Sequence, residues 1–551
     1  MAELFWFHMS FEIKEKDLLA RIGKLKTKSG TVETPLLFPV INPSIQPIRP
    51  QRLKDHFGFE AIITNSYILK KRFDKKVSEI GIHKFLDYDG AIMTDSGAYQ
   101  ILVYGGVEVN QTQIVNYQEL IGTDIATILD IPTGWHVPKE KAKETVAETL
   151  KRAKAFFKIK KREDLLWVGP VQGGRHLDLV KKSSEAMGKL PFQIHALGSP
   201  TEVMEGYRYD VLADMILTAK MNLPAERPFH LFGAGHPSMF ALASALGCDL
   251  FDSAAYALYA RENRYMTENG TWRLNELEYF PCQCPKCSSI TPQVLLEAPK
   301  AERVSFLAEH NLYVCIAELR RIKQAIRDGR LWEHVEMRAH SHPALHSALK
   351  KIKGYEKFIE KYSPCIKKSG LFFFDPIGLS RPEVVHYREK LRDNYTTRQT
   401  KISLLLFPQT RTKPFHKSYE FKETRKALNS LEKDFTDKIE VCFYSAPFGI
   451  VPLELDEAYP LSQNEVSVPN EWELIQYIGQ QTIDFIKRTD PVGVIFFESS
   501  DKWEKPIQRK VKAYCKTNKT RFIKIEEGLN SKTLIHKLQN LLSTKQSEKN
   551  D

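Results

Sequence analysis

The chain has 551 residues, enough for two or three domains. Its hydrophobic content of 42% is ordinary for a globular protein, and no apolar run approaches the roughly 18 residues of a membrane-spanning helix. The first residues lack the pattern of a secretory signal, and eight cysteines in so long a chain suit a reducing compartment, so we expect a cytoplasmic protein with no membrane partner. The net charge of +12 suits a polyanionic partner such as nucleic acid.

Eight short apolar runs occupy the first half of the chain, each with few charges and a Gly, Pro or polar break after it, which predicts buried strands. The runs are Glu33–Val40, Ala61–Leu69, Ala91–Thr94, Ile125–Pro132, Leu165–Gln172, Phe192–Ser199, Phe229–Gly233 and Leu250–Ala254. Amphipathic segments between them, such as Thr145–Phe157 and Pro237–Leu246, predict helices. This alternation predicts an α/β fold of the (β/α)8 TIM-barrel type. The doubly wound alternative would need a Gly-rich dinucleotide turn after the first strand, and the sequence has none there.

Polar residues collect at the predicted carboxyl ends of these strands, where such barrels carry their active sites. In chain order they are Asp95, Ser96 and Gly97 after the third strand, Asp130 after the fourth, Gln172 after the fifth, Gly198 after the sixth and Asp252 in the eighth. We therefore expect a pocket at this end of the barrel.

Two of these residues, Asp95 and Asp252, form a candidate catalytic pair. Two carboxylates can cleave a glycosidic bond by double displacement, because one attacks the anomeric carbon while the other moves the proton. A single aspartate at a strand end is more often a cap or an ion-pair partner, but two at the functional face favour catalysis. Asp130 and Gln172 are suited to reading the edge of a base, and Tyr99 could stack on it.

A second constellation predicts a metal site. Cys282, Cys284 and Cys287 lie within six residues, and His310 follows 23 residues after the last cysteine. These four side chains can converge on one tetrahedral Zn²⁺, and four protein ligands leave no position for water, so such an ion is structural. The alternative is three buried cysteines without a metal, but the C-x-C-x-x-C spacing is rare outside metal sites.

The rest of the chain predicts further units. A helix is expected over Asn311–Asp328, and the break at Pro343 marks a first domain boundary. The predicted domains are a catalytic domain at 1–345 with a zinc subdomain at about 280–312, a basic helical linker region at 346–400, a smaller α/β domain at 401–542 and a disordered tail at 543–551. Strands of the α/β domain are expected at Ile402–Phe407, Ile439–Tyr444 and Val492–Phe497.

Several segments of the first domain agree, in order, with the motifs of one family. They are Arg21–Pro35, Met93–Gln100, Asp130–Pro132, Val171–Gly174, Cys248–Arg261 and the cysteine cluster. In these segments, which span about residues 8–345, the chain resembles the tRNA-guanine transglycosylases, specifically the archaeal branch that makes archaeosine.

The resemblance implies roles for the candidate residues. Asp252 would be the nucleophile and Asp95 the general acid/base. The base-binding residues would be Ser96, Tyr99, Asp130, Gln172 and Gly198, and the ligands of one Zn²⁺ would be Cys282, Cys284, Cys287 and His310. The implied reaction replaces guanine 15 in the D-arm of tRNA by 7-cyano-7-deazaguanine (preQ0) through a covalent intermediate. A homodimer is also implied.

A second resemblance concerns the C-terminal domain. Phe407–Ser418 and Tyr444–Leu455 are similar to the core domain of archaeosine synthase, a paralogue that adds lysine to preQ0 in tRNA. Lys413 and Ser418 of its motif are retained, but Gln409 stands where the synthase has Cys and Phe421 where it has His. These departures imply a tRNA-binding role for the domain. Two alternatives to a transglycosylase remain open: a lysine-adding synthase with a degenerate barrel, and a non-catalytic tRNA-binding subunit.

Overall fold

The computed structural model describes residues 10–98, 110–397, 402–468, 471–498, 502–525 and 531–543. The chain divides into two compact units, Met1–Ser363 and Pro364–Asp551. The division falls after the boundary expected near 345, because the next residues pack against the barrel helix Tyr209–Lys220. Lys351 forms an ion pair with Asp214 of that helix, and the Tyr355 hydroxyl donates to the same carboxylate, 2.9 Å away in both cases.

The first unit is built on a closed barrel of eight parallel strands, which confirms the predicted TIM-barrel fold. An antiparallel sheet of β1 (Phe11–Asp17), β2 (Ala20–Thr27) and β3 (Gly30–Thr34) precedes it. The barrel strands are β4 (Leu36–Ile41), β5 (Ala61–Asn65), β6 (Ala91–Asp95), β7 (Ile125–Thr127), β8 (Leu166–Val171), β9 (Ile194–Leu197), β10 (Phe229–Leu231) and β11 (Leu250–Ser253). Each overlaps one of the eight predicted runs. The β12 (Arg264–Thr267) and β13 (Gly270–Arg273) hairpin follows.

Helices surround the barrel. Those of the first unit are Pro50–Asp55, Ser66–Ile80, Ile82–Leu86, Gln111–Ile121, Lys139–Ile159, Leu177–Gly188, Thr201–Glu205, Tyr209–Lys220, Pro237–Ala245, Ala255–Arg261, Pro292–Glu297, Lys300–Asp328, Leu331–Ala339, Pro343–Lys350 and Glu356–Tyr362. The helix expected to begin at Asn311 begins at Lys300, so that start was wrong. Pro299 is tolerated at the helix N-cap, where no intrahelical N–H is lost, and the residues after it favour helix. His310 therefore lies on a helix.

The seam between the first and last barrel strands contains a buried ion pair. Arg21 on β2 donates from Nε to Oδ1 of Asp249 at 2.9 Å, and its Nη2 donates to Oδ2. The same guanidinium donates to the carbonyl oxygens of Ala225 and Arg227. Asp249 Oδ2 also accepts the backbone N–H of Phe229 at 2.8 Å. Both charges are almost fully buried and satisfied, so the ends of β2, β10 and β11 are joined through one carboxylate.

The second unit contains a five-stranded sheet in the order β17-β16-β15-β19-β20, which confirms the smaller α/β region. Its strands are β15 (Ser403–Pro408), β16 (Ile439–Ser445), β17 (Gly449–Pro452), β19 (Gly493–Phe497) and β20 (Arg521–Ile525), with β14 (Leu371–Phe373) and β18 (Asn464–Val466) paired apart from it. The helices are Pro382–Asn394, Lys422–Asn429, Lys433–Thr436, Trp472–Thr489, Lys505–Thr517 and Ser531–Ser543. Three of these strands were expected, whereas Arg521 and Lys524 interrupt β20, which therefore gives no continuous apolar run.

None of the helices in the described ranges has the length and apolar character needed to cross a membrane. The expected tail at 543–551 lies, except for its first residue, outside the described residues.

Candidate active site and metal centre

An open cavity of about 1130 Å³ lies at the carboxyl ends of the barrel strands. Five of the predicted site residues line it: Asp95, Asp130, Gln172, Gly198 and Asp252. Ser96 is fully buried and is not part of the cavity wall, and its hydroxyl has no hydrogen-bond partner among the described residues. Tyr99 lies outside the described residues.

Asp95 ends β6 and is held by its neighbours. Oδ2 accepts a hydrogen bond from Asn65 Nδ2 at 2.7 Å, and Oδ1 accepts one from the Gly97 N–H at 3.0 Å. Desolvation raises the pKa of this carboxyl to about 6, the Gly97 hydrogen bond opposes the rise, and the charge of Asp252 adds to it. A carboxyl with such a pKa can both give and accept a proton near neutral pH.

Asp252 lies on β11 in a different environment. Its Oδ1 is 2.9 Å from Nε2 of His230 on the adjacent strand β10, and it accepts the Gly233 N–H at 3.0 Å. Gly233 has a φ of 69°, a conformation that glycine adopts without strain, and the turn aims its N–H at the carboxylate. Oδ2 makes no hydrogen bond to the described residues and remains available at the cavity wall.

His230 was not among the site residues predicted from the sequence. Its side chain is fully buried and stacks on Phe38, with ring centroids 5.7 Å apart. Nδ1 has no hydrogen-bond partner among the described residues, so a proton there would be a buried unpaired donor. The proton is therefore assigned to Nε2, which donates to Asp252. A histidine inside the otherwise apolar run Phe229–Gly233 was the available signal.

Asp130 and Gln172 form one hydrogen-bonded unit. Gln172 Nε2 donates to Asp130 Oδ2 at 2.5 Å, while its Oε1 accepts the Thr133 N–H at 3.0 Å and the Ser199 hydroxyl at 3.1 Å. Desolvation raises the pKa of Asp130 to about 6, against the effect of the Gln172 hydrogen bond. A Cβ at Gly198 would lie 2.1 Å from Gln172 Nε2, so this position needs glycine for the amide to reach Asp130.

The four predicted metal ligands meet, and their donor atoms all lie within 4.8 Å of one another. His310 Nδ1 is 3.3 Å from Cys287 Sγ and 3.6 Å from Cys284 Sγ. Ligands at the usual Zn–S and Zn–N bond lengths around a tetrahedral ion are about 3.5 Å apart, so this cluster can hold a metal ion of that kind.

Neighbouring groups orient the histidine for such a role. Nε2 of His310 donates to the Met266 carbonyl at 2.8 Å, which leaves the lone pair of Nδ1 facing the thiols. The Tyr265 ring stacks on the imidazole with a centroid distance of 3.7 Å, and its hydroxyl is 3.3 Å from Cys287 Sγ. The hairpin strand β12 carries both of these neighbours, so helix, hairpin and cysteine loop converge on one point.

In the second unit, the two positions that depart from the synthase motif have structural roles. Gln409 Oε1 accepts the Ala446 N–H at 2.9 Å. Phe421 is buried in the core against Phe407 and Phe443, with centroid distances of 5.1 and 5.2 Å. Neither residue offers the thiol or imidazole of the motif.

The Lys413 side chain is held by hydrogen bonds within the second unit. Its ammonium group donates to the backbone carbonyl of Asn464 and, at 2.7 Å, to the side-chain oxygen of the same residue. Desolvation lowers the pKa of Lys413 to about 8, and the charge of Glu465 opposes this. Ser418 is buried and its hydroxyl accepts the Phe421 N–H at 3.2 Å.

The sequence profile of the queuine tRNA-ribosyltransferase family matches residues 16–344, most of the chain. The chain belongs to this family. It is therefore a tRNA-ribosyltransferase, and the cavity with its two carboxylates lies in the matched region. Residues 384–542 match a domain of unknown function, DUF5591, which begins near the helix Pro382–Asn394.

Three archaeal relatives of this family member are each named tRNA-guanine(15) transglycosylase. That of Saccharolobus solfataricus is 44% identical over 496 residues, which cover 87% of this chain and 95% of that protein. That of Methanocaldococcus jannaschii is 44% identical over 490 residues, covering 87% and 72%. That of Thermococcus kodakarensis is 47% identical over 428 residues, covering 77% and 72%.

Removing one side chain of the candidate metal cluster should abolish metal binding and destabilise the first unit. We expect His310→Ala and Cys287→Ser to contain no zinc by elemental analysis and to unfold at least about 5 °C lower than the parent protein, because metal binding contributes folding free energy. Cys315→Ser, on the same helix as His310 but outside the cluster, is the matched control and should keep one ion per chain. Full metal content in His310→Ala would contradict the assignment.

Proposed function

We propose that this enzyme exchanges guanine 15 in the D-arm of archaeal tRNA for preQ0, by double displacement through a covalent tRNA–aspartyl intermediate. The observation that carries the proposal is that Asp95 and Asp252 face one cavity in unlike environments. Oδ1 of Asp252 is held by two hydrogen-bond donors, whereas the pKa of Asp95 is raised toward neutrality. Such separation of environments is how two carboxylates take different roles in one reaction.

In the first half of the reaction, Asp252 is the nucleophile. His230 and Gly233 hold Oδ1, so Oδ2 is the oxygen that attacks C1′ of the ribose. The C1′–N9 bond breaks and its electron pair leaves with guanine, which takes a proton from neutral Asp95. The nucleotide must first leave its stack and enter the cavity, which costs a few kcal/mol.

In the second half, preQ0 replaces guanine in the cavity. Asp95 takes the proton from the incoming base, whose nitrogen attacks C1′ and displaces the Asp252 carboxylate. Two inversions give net retention at C1′. One N-glycosidic bond replaces another, so the exchange needs no ATP.

Base recognition is assigned to Asp130, supported by Gln172 and Gly198. Because both polar ends of the Gln172 amide are already engaged, its main role is to orient Asp130 toward the base. A carboxylate there can accept hydrogen bonds from the ring N–H and amino groups that guanine and preQ0 share.

The cluster of Cys282, Cys284, Cys287 and His310 is assigned to one Zn²⁺, which supplies a structural cross-link and no catalytic chemistry. For the second unit we propose tRNA binding rather than lysine addition. The anchored Lys413 and the structural roles of Gln409 and Phe421 support this choice over the synthase alternative.

The exchange can be tested directly with unmodified archaeal tRNA and radiolabelled preQ0. We expect the wild-type protein to place label at position 15 and Asp252→Ala to place none. Denaturing gels should show a tRNA–protein adduct with wild type alone. Failure of the wild type to incorporate label, while preQ0-containing tRNA gains lysine, would make the synthase alternative correct.

The pKa of Asp95 predicts the pH dependence of guanine release. The leaving base needs neutral Asp95, and the pKa of about 6 means that this form is present below pH 6 and lost as pH rises through it. Single-turnover guanine release at saturating enzyme should therefore decline above about pH 6. Any residual release by Asp95→Asn should not vary over this range, and the same decline in that variant would assign the pKa to another group.

A pair of variants tests the role of His230 in orienting Asp252. We expect His230→Phe, which packs beside Phe38 without a donor, to lower kcat about 10- to 100-fold with unchanged KM for tRNA and base. His230→Gln keeps an N–H donor and should recover most of the rate. Equal loss in both variants, or full activity in His230→Phe, would contradict the assignment.

A further inference from the structure

Two arginines lie over one tryptophan outside the catalytic cavity. The Cζ atom of Arg175 is 5.5 Å from the centroid of the Trp135 ring, and that of Arg208 is 5.0 Å from it. Both arginines are exposed, whereas the tryptophan is half-buried. Contacts of this kind hold a guanidinium near an aromatic ring through the charge distribution of the ring.

The three side chains come from different connections at the same end of the barrel. Trp135 follows β7, Arg175 follows β8, and Arg208 lies in the segment after β9. The backbone N–H of Trp135 donates a hydrogen bond to the carboxylate of Glu202. Glu202 lines the cavity, and Tyr207, the residue before Arg208, lines it too. The cluster is therefore at the rim of the cavity that contains Asp95 and Asp252.

Neither arginine pairs directly with a carboxylate among the described residues, and the Glu202 carboxylate of this cluster accepts the Trp135 backbone N–H instead. In the part of the chain that the structure describes, neither guanidinium makes an ion pair or a side-chain hydrogen bond. Two half-buried arginines of the same unit, Arg162 and Arg152, pair instead with Asp164 and Glu148. Arg175 and Arg208 thus keep all their N–H donors while the ring restricts where they point.

We propose that Arg175 and Arg208, positioned by Trp135, bind phosphates of the RNA backbone next to the nucleotide that enters the cavity. This inference rests on the proposed function, because it takes tRNA as the substrate. Guanidinium groups match phosphate geometry with paired hydrogen bonds, and restricting them beforehand lowers the entropy lost on binding. A grip on the backbone at the rim would hold one side of the displaced nucleotide.

The double variant Arg175→Gln/Arg208→Gln tests the grip. We expect its KM for tRNA to rise about 5- to 50-fold, with kcat at saturating tRNA and KM for the base unchanged. In filter binding of unmodified tRNA at several salt concentrations, the slope of log K against log salt should be smaller by about 1 to 2, since each lost phosphate contact removes roughly 0.7 to 0.9.

Two further variants separate this grip from general charge effects. Arg320→Gln removes an exposed arginine beside Gly58, in the loop that enters β5 at the other end of the barrel, and should leave the slope unchanged. Trp135→Leu keeps both charges but removes the ring, and should weaken binding less than the double variant.

These experiments test phosphate binding by Arg175 and Arg208 separately from the proposed base exchange. Unchanged tRNA affinity and salt slope in the double variant, or an equal loss in Arg320→Gln, would overturn the grip even if the wild type exchanges bases normally. Weaker binding and a smaller slope in a protein whose wild type exchanges no base would support the grip and reject the proposed reaction.

Discussion

The arrangement of the active site depends on the buried ion pair between Arg21 and Asp249. Asp249 directly precedes β11, its carboxylate accepts Arg21 and the first N–H of β10, and its backbone carbonyl accepts the Leu36 N–H of β4 at 3.0 Å. One residue thus fixes where the last barrel strand meets the strands on either side. Breaking a buried pair leaves an uncompensated charge at a cost of about 3–5 kcal/mol, so alternative registers at this seam are strongly disfavoured.

That register determines how the proposed nucleophile is presented. Asp252 lies three residues after Asp249, so the seam also sets its height in the barrel. The neighbouring strand β10 then brings His230 to one carboxylate oxygen, and the turn after β10 adds the Gly233 N–H. Asp95 lies on β6, two strands beyond β4, and its pKa is instead set mainly by desolvation. The unlike behaviour of two identical side chains follows from which strands flank each of them.

Features that depend on local pattern could be predicted from the sequence. The eight apolar runs predicted the barrel, and the spacing of three cysteines together with His310 predicted a candidate metal cluster whose donor atoms meet in the structure. Pairings between distant segments could not be predicted, because nothing local marks them: His230 with Asp252 is one example and Arg21 with Asp249 another. Gln172 could be predicted only in part. Its position at the cavity was expected, but the hydrogen bonds of its amide to Asp130, Thr133 and Ser199 were not.

The cavity itself argues for a polymeric substrate. Pockets for small ligands usually enclose about 300–1,000 Å³, and this one is larger and open, far more than one purine base requires. A base alone would leave most of the wall without a partner, whereas a nucleotide still joined to its chain would extend across the rim. Arg175 and Arg208 lie at the rim and have no carboxylate partners in the described part of the chain. Their guanidinium groups could therefore bind the phosphates of such a chain. Cavity size, the two arginines beside Trp135 and the carboxylate pair are thus three separate properties that one RNA substrate accounts for.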